Sequence, residues 1–309
     1  MSARLFRAWA RALRVTAGLL AAALLPALAA VATAAERSDD ALAAIRARGR
    51  IVVGVKKDVQ LWGYQDPRSG ELTGMEVDLA RSLARQLGVA LELVGLRSIE
   101  RIEALDSGRV DVLIATLSDS PERRAQVAMV LPHYYSSGVN LLARKSEGFR
   151  AWNELKNRRI CGRRGSYYNR EITVRYGADV VAFHSLDWAL QAVRDGRCSA
   201  LVYDDTAIVA LLQRPEWAGE FEMPMTTIHR LPWALAIARQ NAGSPLEKAL
   251  SAAVIRWHRE GTLIGVEKAW HIPTTDFLRD LNAVWNRKTP DGRWYCGTEV
   301  SDKTPADCL

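Results

Sequence analysis

Apolar and polar positions alternate along this chain in blocks that switch between helix and strand periods. Residues 40–48 predict a helix stopped by Gly49, and the unbroken apolar run 51–55 predicts a buried strand. Residues 56–73 read as a loop punctuated by Asp66-Pro67 and Ser69-Gly70. Residues 77–87 place Ala80, Leu83, Ala84 and Leu87 on one helical face before Gly88. A strand is predicted at 91–94, a helix capped by Ser98 and ending at Gly108, and a strand at 110–115. Pro121 starts a helix with Glu122 in its first turn, followed by an extended apolar run at 138–143. A second, smaller α/β pattern begins at Trp152 and ends near Pro232, where 233–238 is again extended. Residues 245–260 predict a long helix, and 266–270 open a terminal helical region.

One stretch recurs. Ala104-Leu105-Asp106-Ser107-Gly108-Arg109-Val110-Asp111-Val112-Leu113-Ile114-Ala115 reads like Ala192-Val193-Arg194-Asp195-Gly196-Arg197-Cys198-Ser199-Ala200-Leu201-Val202-Tyr203. Each is a helix end, a glycine stop and an apolar strand. Thr116 and Asp204 follow the two copies, at the carboxyl ends of strands, where open α/β sheets bind ligands. Two extended runs flank the middle segment, as a chain crossing twice between two lobes requires.

The N-terminus changes the reading of charge. Arg4, Arg7, Arg11 and Arg14 precede an uncharged apolar run, and Ala32-Thr33-Ala34 offers a small-x-small cleavage site. A cleaved secretory signal over residues 1–34 is expected, and with it a soluble periplasmic protein. The whole chain carries +7, from 42 basic and 35 acidic residues. Without the four signal arginines, 38 basic residues face 35 acidic ones, and +3 gives no reason to expect nucleic-acid binding. Arg158-Arg159 and Arg163-Arg164, the densest basic pairs, read as solvated loops. The four cysteines of an exported chain suggest disulfides. Of three possible pairings, Cys161 with Cys198 is favoured if their strands are neighbours, and Cys296 with Cys308 would close a polar tail.

Catalytic and metal signatures are missing: no G-x-S-x-G, no H-E-x-x-H, no phosphate loop, and five scattered histidines. Glu76 and Asp78 read as partners of a helix dipole. No cofactor or metal is expected.

Gly74-Met75-Glu76-Val77-Asp78-Leu79-Ala80-Arg81-Ser82-Leu83-Ala84 resembles the signature of the amino-acid-binding family of periplasmic solute receptors for ABC importers. Val53-Gly54-Val55, Leu61-Trp62-Gly63-Tyr64, the run 115–123, His133-Tyr134-Tyr135, Gly165-Ser166 and Val202-Tyr203-Asp204-Asp205 extend the resemblance over the mature chain. It implies a type II periplasmic binding protein fold: two α/β lobes, each a mixed sheet flanked by helices, joined by two hinge crossovers. Residues 35–143 with 236–309 would form one lobe and 144–235 the other, with hinges near 142–145 and 231–235.

The resemblance also implies a function. A small zwitterion, polar or acidic, would be captured by closure and delivered to an inner-membrane ABC permease by a monomer. Ser118 and Arg123 occupy the positions that bind an α-carboxylate, with Ser166 after Gly165, at the start of a helix, opposite them. Asp204, or its neighbour Asp205, would take the ammonium. Lys56, Trp62, Thr116 and Tyr167 complete the expected lining. Lys56 stands where relatives that bind basic ligands often carry an acid, and it reads either as a selector of acidic or neutral ligands or as a solvated loop lysine. Val59 replaces a common aromatic, and Tyr167 a common threonine. The tail with Trp270, Pro273 and Phe277 resembles the glutamate/aspartate-binding branch. Two alternatives share the fold: a cyclohexadienyl dehydratase-like enzyme and a sensory or accessory binding protein.

Overall fold

A computed structural model describes residues 41–309; the expected signal and the first residue of the helix predicted at 40–48 lie outside the described residues. The strands are β1 (Arg50–Lys56), β2 (Asp58–Val59), β3 (Gly63–Gln65), β4 (Leu72–Thr73), β5 (Ala90–Leu96) and β6 (Val112–Ile114). They continue with β7 (Val127–Arg144), β8 (Arg159–Arg163), β9 (Asp179–Phe183), β10 (Ala200–Asp204), β11 (Phe221–Glu222) and β12 (Ile228–Ala238). The predicted loop at 56–73 folds into a small sheet of its own, β2-β3-β4.

The main sheet runs β5-β1-β6-β12-β7-β10-β8-β9, with β11 on the end of β7. It is continuous because β7 and β12 are long enough to serve both lobes. In the first lobe, Val127–Val130 of β7 pair antiparallel with Leu235–Ala238 of β12. In the second, residues 139–143 of β7 pair antiparallel with β10. The apolar runs expected at 138–143 and 233–238 are thus the far ends of two longer strands. The helix begun by Pro121 is correspondingly short, Pro121–Arg124, with the Ser120 hydroxyl accepting from the Arg123 N–H.

Both copies of the recurring unit fold as read. Helices Arg101–Asp106 and Leu186–Arg194 stop before Gly108 and Gly196, at φ 69° and 70°. β6 then runs parallel to β1, and β10 parallel to β8. Ser98, however, caps no helix; it opens a short 3₁₀ turn, Ser98–Glu100. The register Leu201↔Cys161 makes β8 and β10 neighbours, and the Cys161–Cys198 disulfide joins them with Cα atoms 5.5 Å apart. Cys296–Cys308 closes the tail onto Ile255, Leu281 and Trp285, supplying a small core where the tail has few apolar residues of its own. The terminal helices start earlier than expected, at Thr262–Ala269, and continue as Asp276–Trp285. Among the described residues no helix is long and apolar enough to cross a membrane.

Candidate functional site

The carboxyl ends of β1, β6, β8 and β10 converge on one seam between the lobes. From the first lobe, β6 delivers Thr116, whose φ of 46° is unusual for a branched residue. Glu76 holds it there: Glu76 Oε1 accepts from the Thr116 N–H at 2.6 Å and from the Tyr134 hydroxyl at 2.6 Å. Glu76 is therefore more than a dipole partner. It is fully buried, its Oε2 has no partner, and burial pushes its carboxyl up to about 7 against those two bonds. The following loop brings Ser118, whose carbonyl accepts from Arg123 Nη1 at 2.9 Å.

The second lobe meets this wall through β8 and β10. Gly165 accepts from Arg123 Nη2 at 3.3 Å and from Arg101 Nη2 at 3.4 Å through its carbonyl. It sits at φ +83°, and a Cβ there would lie 2.8 Å from the backbone of Ser98 and Ile99, so only glycine lets the lobes meet this closely. Ser166 is half-buried, but the helix begins three residues later, at Asn169–Tyr176. The expected anion site at a helix start is thus displaced: Ser166 offers a hydroxyl without the helix end behind it. Tyr167 donates to the His229 carbonyl at 2.9 Å and lies under the Arg123 guanidinium, 5.7 Å from ring centre to charge.

Asp204 and Asp205 differ in occupation. Asp205 is buried, and its Oδ1 accepts from the Gly138 N–H and the Ser137 hydroxyl, both at 2.9 Å. Asp204 is half-buried at the end of β10 and makes no side-chain cap bond to the helix it precedes. Burial and the charge of Asp205 push Asp204 up to about 7, while Arg101, Arg123 and Lys56 pull it back. A cation placed at Asp204 would restore its ionised form.

A groove of about 710 Å³ opens along the seam, lined by Ser98, Arg101, Arg123, Gly165, Ser166 and Tyr167. Trp62 lies under the seam. It is fully buried and packs edge-on to Tyr135 and Trp233, with centroids 6.1 and 6.3 Å away.

Several residues here were not singled out by sequence reasoning. Arg101 is buried and ties four carbonyls, of Ser98, Ala115, Thr116 and Gly165, across both lobes. Burial and the charges of Arg123 and Arg163 lower it to about 9. Arg163 is fully buried, not a solvated loop residue, and donates to Asp58 and Ser98 of the first lobe. Lys56 is equally buried, which excludes its solvated reading. The signal for Arg163 was available: it ends a parallel strand just before Gly165, the same logic that selects Asp204.

The arrangement offers guanidinium and hydroxyl donors on the first wall and a carboxylate on the second. Known proteins resemble the chain at low identity. The ABC transporter glutamine-binding protein of Bacillus subtilis (strain 168) is 26% identical over 240 residues, covering 76% of this chain and 86% of the relative. The solute receptor for L-cysteine of Neisseria gonorrhoeae has the same fold, with a TM-score of 0.69 at 24% identity over 75% of this chain and 94% of that one. So does an ancestral amino acid-binding protein described as a precursor of cyclohexadienyl dehydratase, with a TM-score of 0.65 at 23% identity over 74% and 98% of the two chains. Residues 51–289 match the bacterial extracellular solute-binding proteins, family 3, and the chain belongs to that family.

Proposed function

We propose that this protein is an exported, monomeric receptor that captures a small zwitterion, a polar or acidic amino acid, and delivers it to an inner-membrane ABC permease. One observation carries the reading: Arg123 and Asp204 reach the same seam from opposite lobes, the first able to donate to a carboxylate and the second to accept from an ammonium. The Ser118 and Thr116 carbonyls accept from Arg123 and Arg101, Ser166 lines the same groove as Arg123, and the named relative supports an amino-acid ligand. Micromolar affinity needs about 8 kcal/mol. A small zwitterion has little apolar surface, so charge-assisted hydrogen bonds of about 1.5–3 kcal/mol each must supply most of it.

Capture works by hinge closure in this reading. The hinge lies at residues 136–138 of β7 and 229–232 of β12, between the stretches paired within each lobe. The β12 pairing shifts register there, between Ile228 and Leu231. Thermal-shift and calorimetric titration of residues 35–309 against the amino acids test the reading. Saturable binding of at least one is expected, with a smaller scattering radius at saturation. Failure of every amino acid to bind would refute it.

A second reading has one observation in its favour. Glu76 and Asp204, both pushed up to about 7, lie in the range of general acids. A dehydratase would use such a group to protonate the departing hydroxyl of a cyclohexadienyl acid, so that water and carbon dioxide leave together and the ring becomes aromatic. Appearance of an aromatic product from such an acid would favour it over the receptor.

A further inference from the structure

A cluster of four polar side chains crosses the seam, and its hydrogen bonds do not balance. Lys56 Nζ lies 3.0 Å from Asp58 Oδ1 and donates to Ser98 Oγ at 2.9 Å. Arg163, from the second lobe, donates Nη2 to Asp58 Oδ2 and Nη1 to the same Ser98 hydroxyl. Neither cation has any exposed side-chain surface. One carboxylate therefore serves two buried cations, with Arg101 near enough to both to depress Lys56 further.

Two donors go unused. Arg163 Nε is buried with no partner, and on the acceptor side Asp58 Oδ1 meets only the Lys56 ammonium. The Ser98 hydroxyl accepts from both cations, which leaves its own proton to donate, and no acceptor among the described residues takes it. Buried cations and donors left in this state are costly unless an anion joins them. Ser98 lines the groove, and Lys56 and Arg163 lie behind it with no surface of their own, so a ligand group reaches them only when the lobes part.

We infer that Lys56, Ser98 and Arg163 read a second, distal carboxylate, and that the ligand is an acidic amino acid carrying net negative charge. Arg163 supplies the planar fork and Lys56 the point charge. Asp58 holds the two cations in register, and Ser98 adds the neutral donor between them. The inference rests on the amino-acid reading of the same site and narrows it. A basic side chain would be repelled by three cations, and an amide would leave the charge of the cluster unmatched.

The test is calorimetry of residues 35–309 with L-glutamate, L-aspartate, L-glutamine, L-asparagine and L-arginine. One acidic ligand should bind at least about tenfold tighter than its own amide, as a charge-assisted contact implies. Arg163→Met should collapse that ratio to near unity. Tightest binding of an amide or of arginine would overturn this inference while leaving the receptor reading intact. So would an equal loss for all ligands in Arg163→Met, which would make the cluster a lock between lobes. No binding of any of the five or of the other amino acids would instead remove the receptor reading itself. Should Arg163→Met not fold, the ranking by the unmodified protein decides, with Lys56→Met as the second variant.

Discussion

The two helix–glycine–strand units are copies in sequence but opposites in chemistry. The first ends at Thr116 and presents a backbone turn, with Arg101 and Arg123 gathered around it. The second ends at Asp204 and presents a free carboxylate. Behind each end, a buried acid fixes the backbone: Glu76 takes the Thr116 N–H, and Asp205 takes the Gly138 N–H. The same frame ends in cations at the first strand end and a carboxylate at the second, although Arg163 brings a cation to the second wall as well. A closing cleft gains from this, because each wall alone is an incomplete site and only their union satisfies both charges.

Removing one charge from each wall breaks the comparison most sharply. Arg123→Ala and Asp204→Ala should each weaken amino-acid binding by on the order of 2–5 kcal/mol, because the opposite charge of the ligand would be buried without its partner. Calorimetry on the two variants, with thermal melts to show that both fold, measures it. Unchanged affinity in Arg123→Ala would mean that the ligand is not held as an α-amino acid.

The units also differ in how they are fastened. β10 is tied to β8 by Cys161–Cys198, whereas β6 relies on its pairing with β1 and β12. Converting both cysteines to alanine should lower unfolding free energy by about 2–4 kcal/mol. Urea melts compare the two proteins. Loss of the first lobe's structure before the second's in the double variant would contradict the assignment of this staple to the second lobe.

Much of this frame could be read directly. The glycine stops and the buried parallel strands follow from apolar runs and turn residues, whose effects are local, whereas the β8–β10 adjacency entered only as a condition for pairing Cys161 with Cys198. Asp204 and Arg123 were legible from position and family pattern together. Arg163, Asp58 and Ser98 were not, because their joint contacts span 42 to 105 residues, and Arg101 was not, because its reach to Gly165 spans 64. An arginine pair looks solvated in sequence, and only the closing of one lobe on the other buries one member. Glu76 escaped for a related reason: its helix position is ordinary, and its partner Thr116 lies 40 residues away. The lengths of β7 and β12 were understated because Ser136, Ser137 and Arg230 interrupt otherwise apolar runs at the crossing.

Glu76, the acid behind the first strand end, carries a pH-dependent effect. Burial raises it from an ordinary 4.5 to about 7 in the folded protein. Between those values the unfolded chain has released the Glu76 proton and the folded chain still holds it. Stability contributed by Glu76 is therefore complete below about 4.5 and falls as pH rises towards 7. Glu76→Gln keeps an oxygen for Thr116 and Tyr134 and abolishes the titration. The variant should match the parent at low pH and exceed it by roughly 1–3 kcal/mol above pH 7. Parallel stability curves across that range would show that Glu76 does not titrate there.

The smallest effect belongs to Arg124, the neighbour of Arg123 on the same short helix. Its guanidinium turns away from the seam and binds Asp119 through Nε at 2.6 Å and Nη2 at 2.5 Å. Asp119 in turn is 2.8 Å from His133 Nε2, so this acid keeps a second partner when Arg124 is removed. The Arg124 side chain is 53% exposed, and water screens what the pair is worth. Arg124→Ala should lower stability by less than about 1 kcal/mol. It should leave ligand affinity within about twofold of the parent, since no group of Arg124 reaches the seam. Measured beside Arg123→Ala, it asks whether one residue of helix rotation separates binding from scaffold. A tenfold loss of affinity in Arg124→Ala would mean that the Asp119–His133 network, not Arg123 alone, sets the geometry of the first wall.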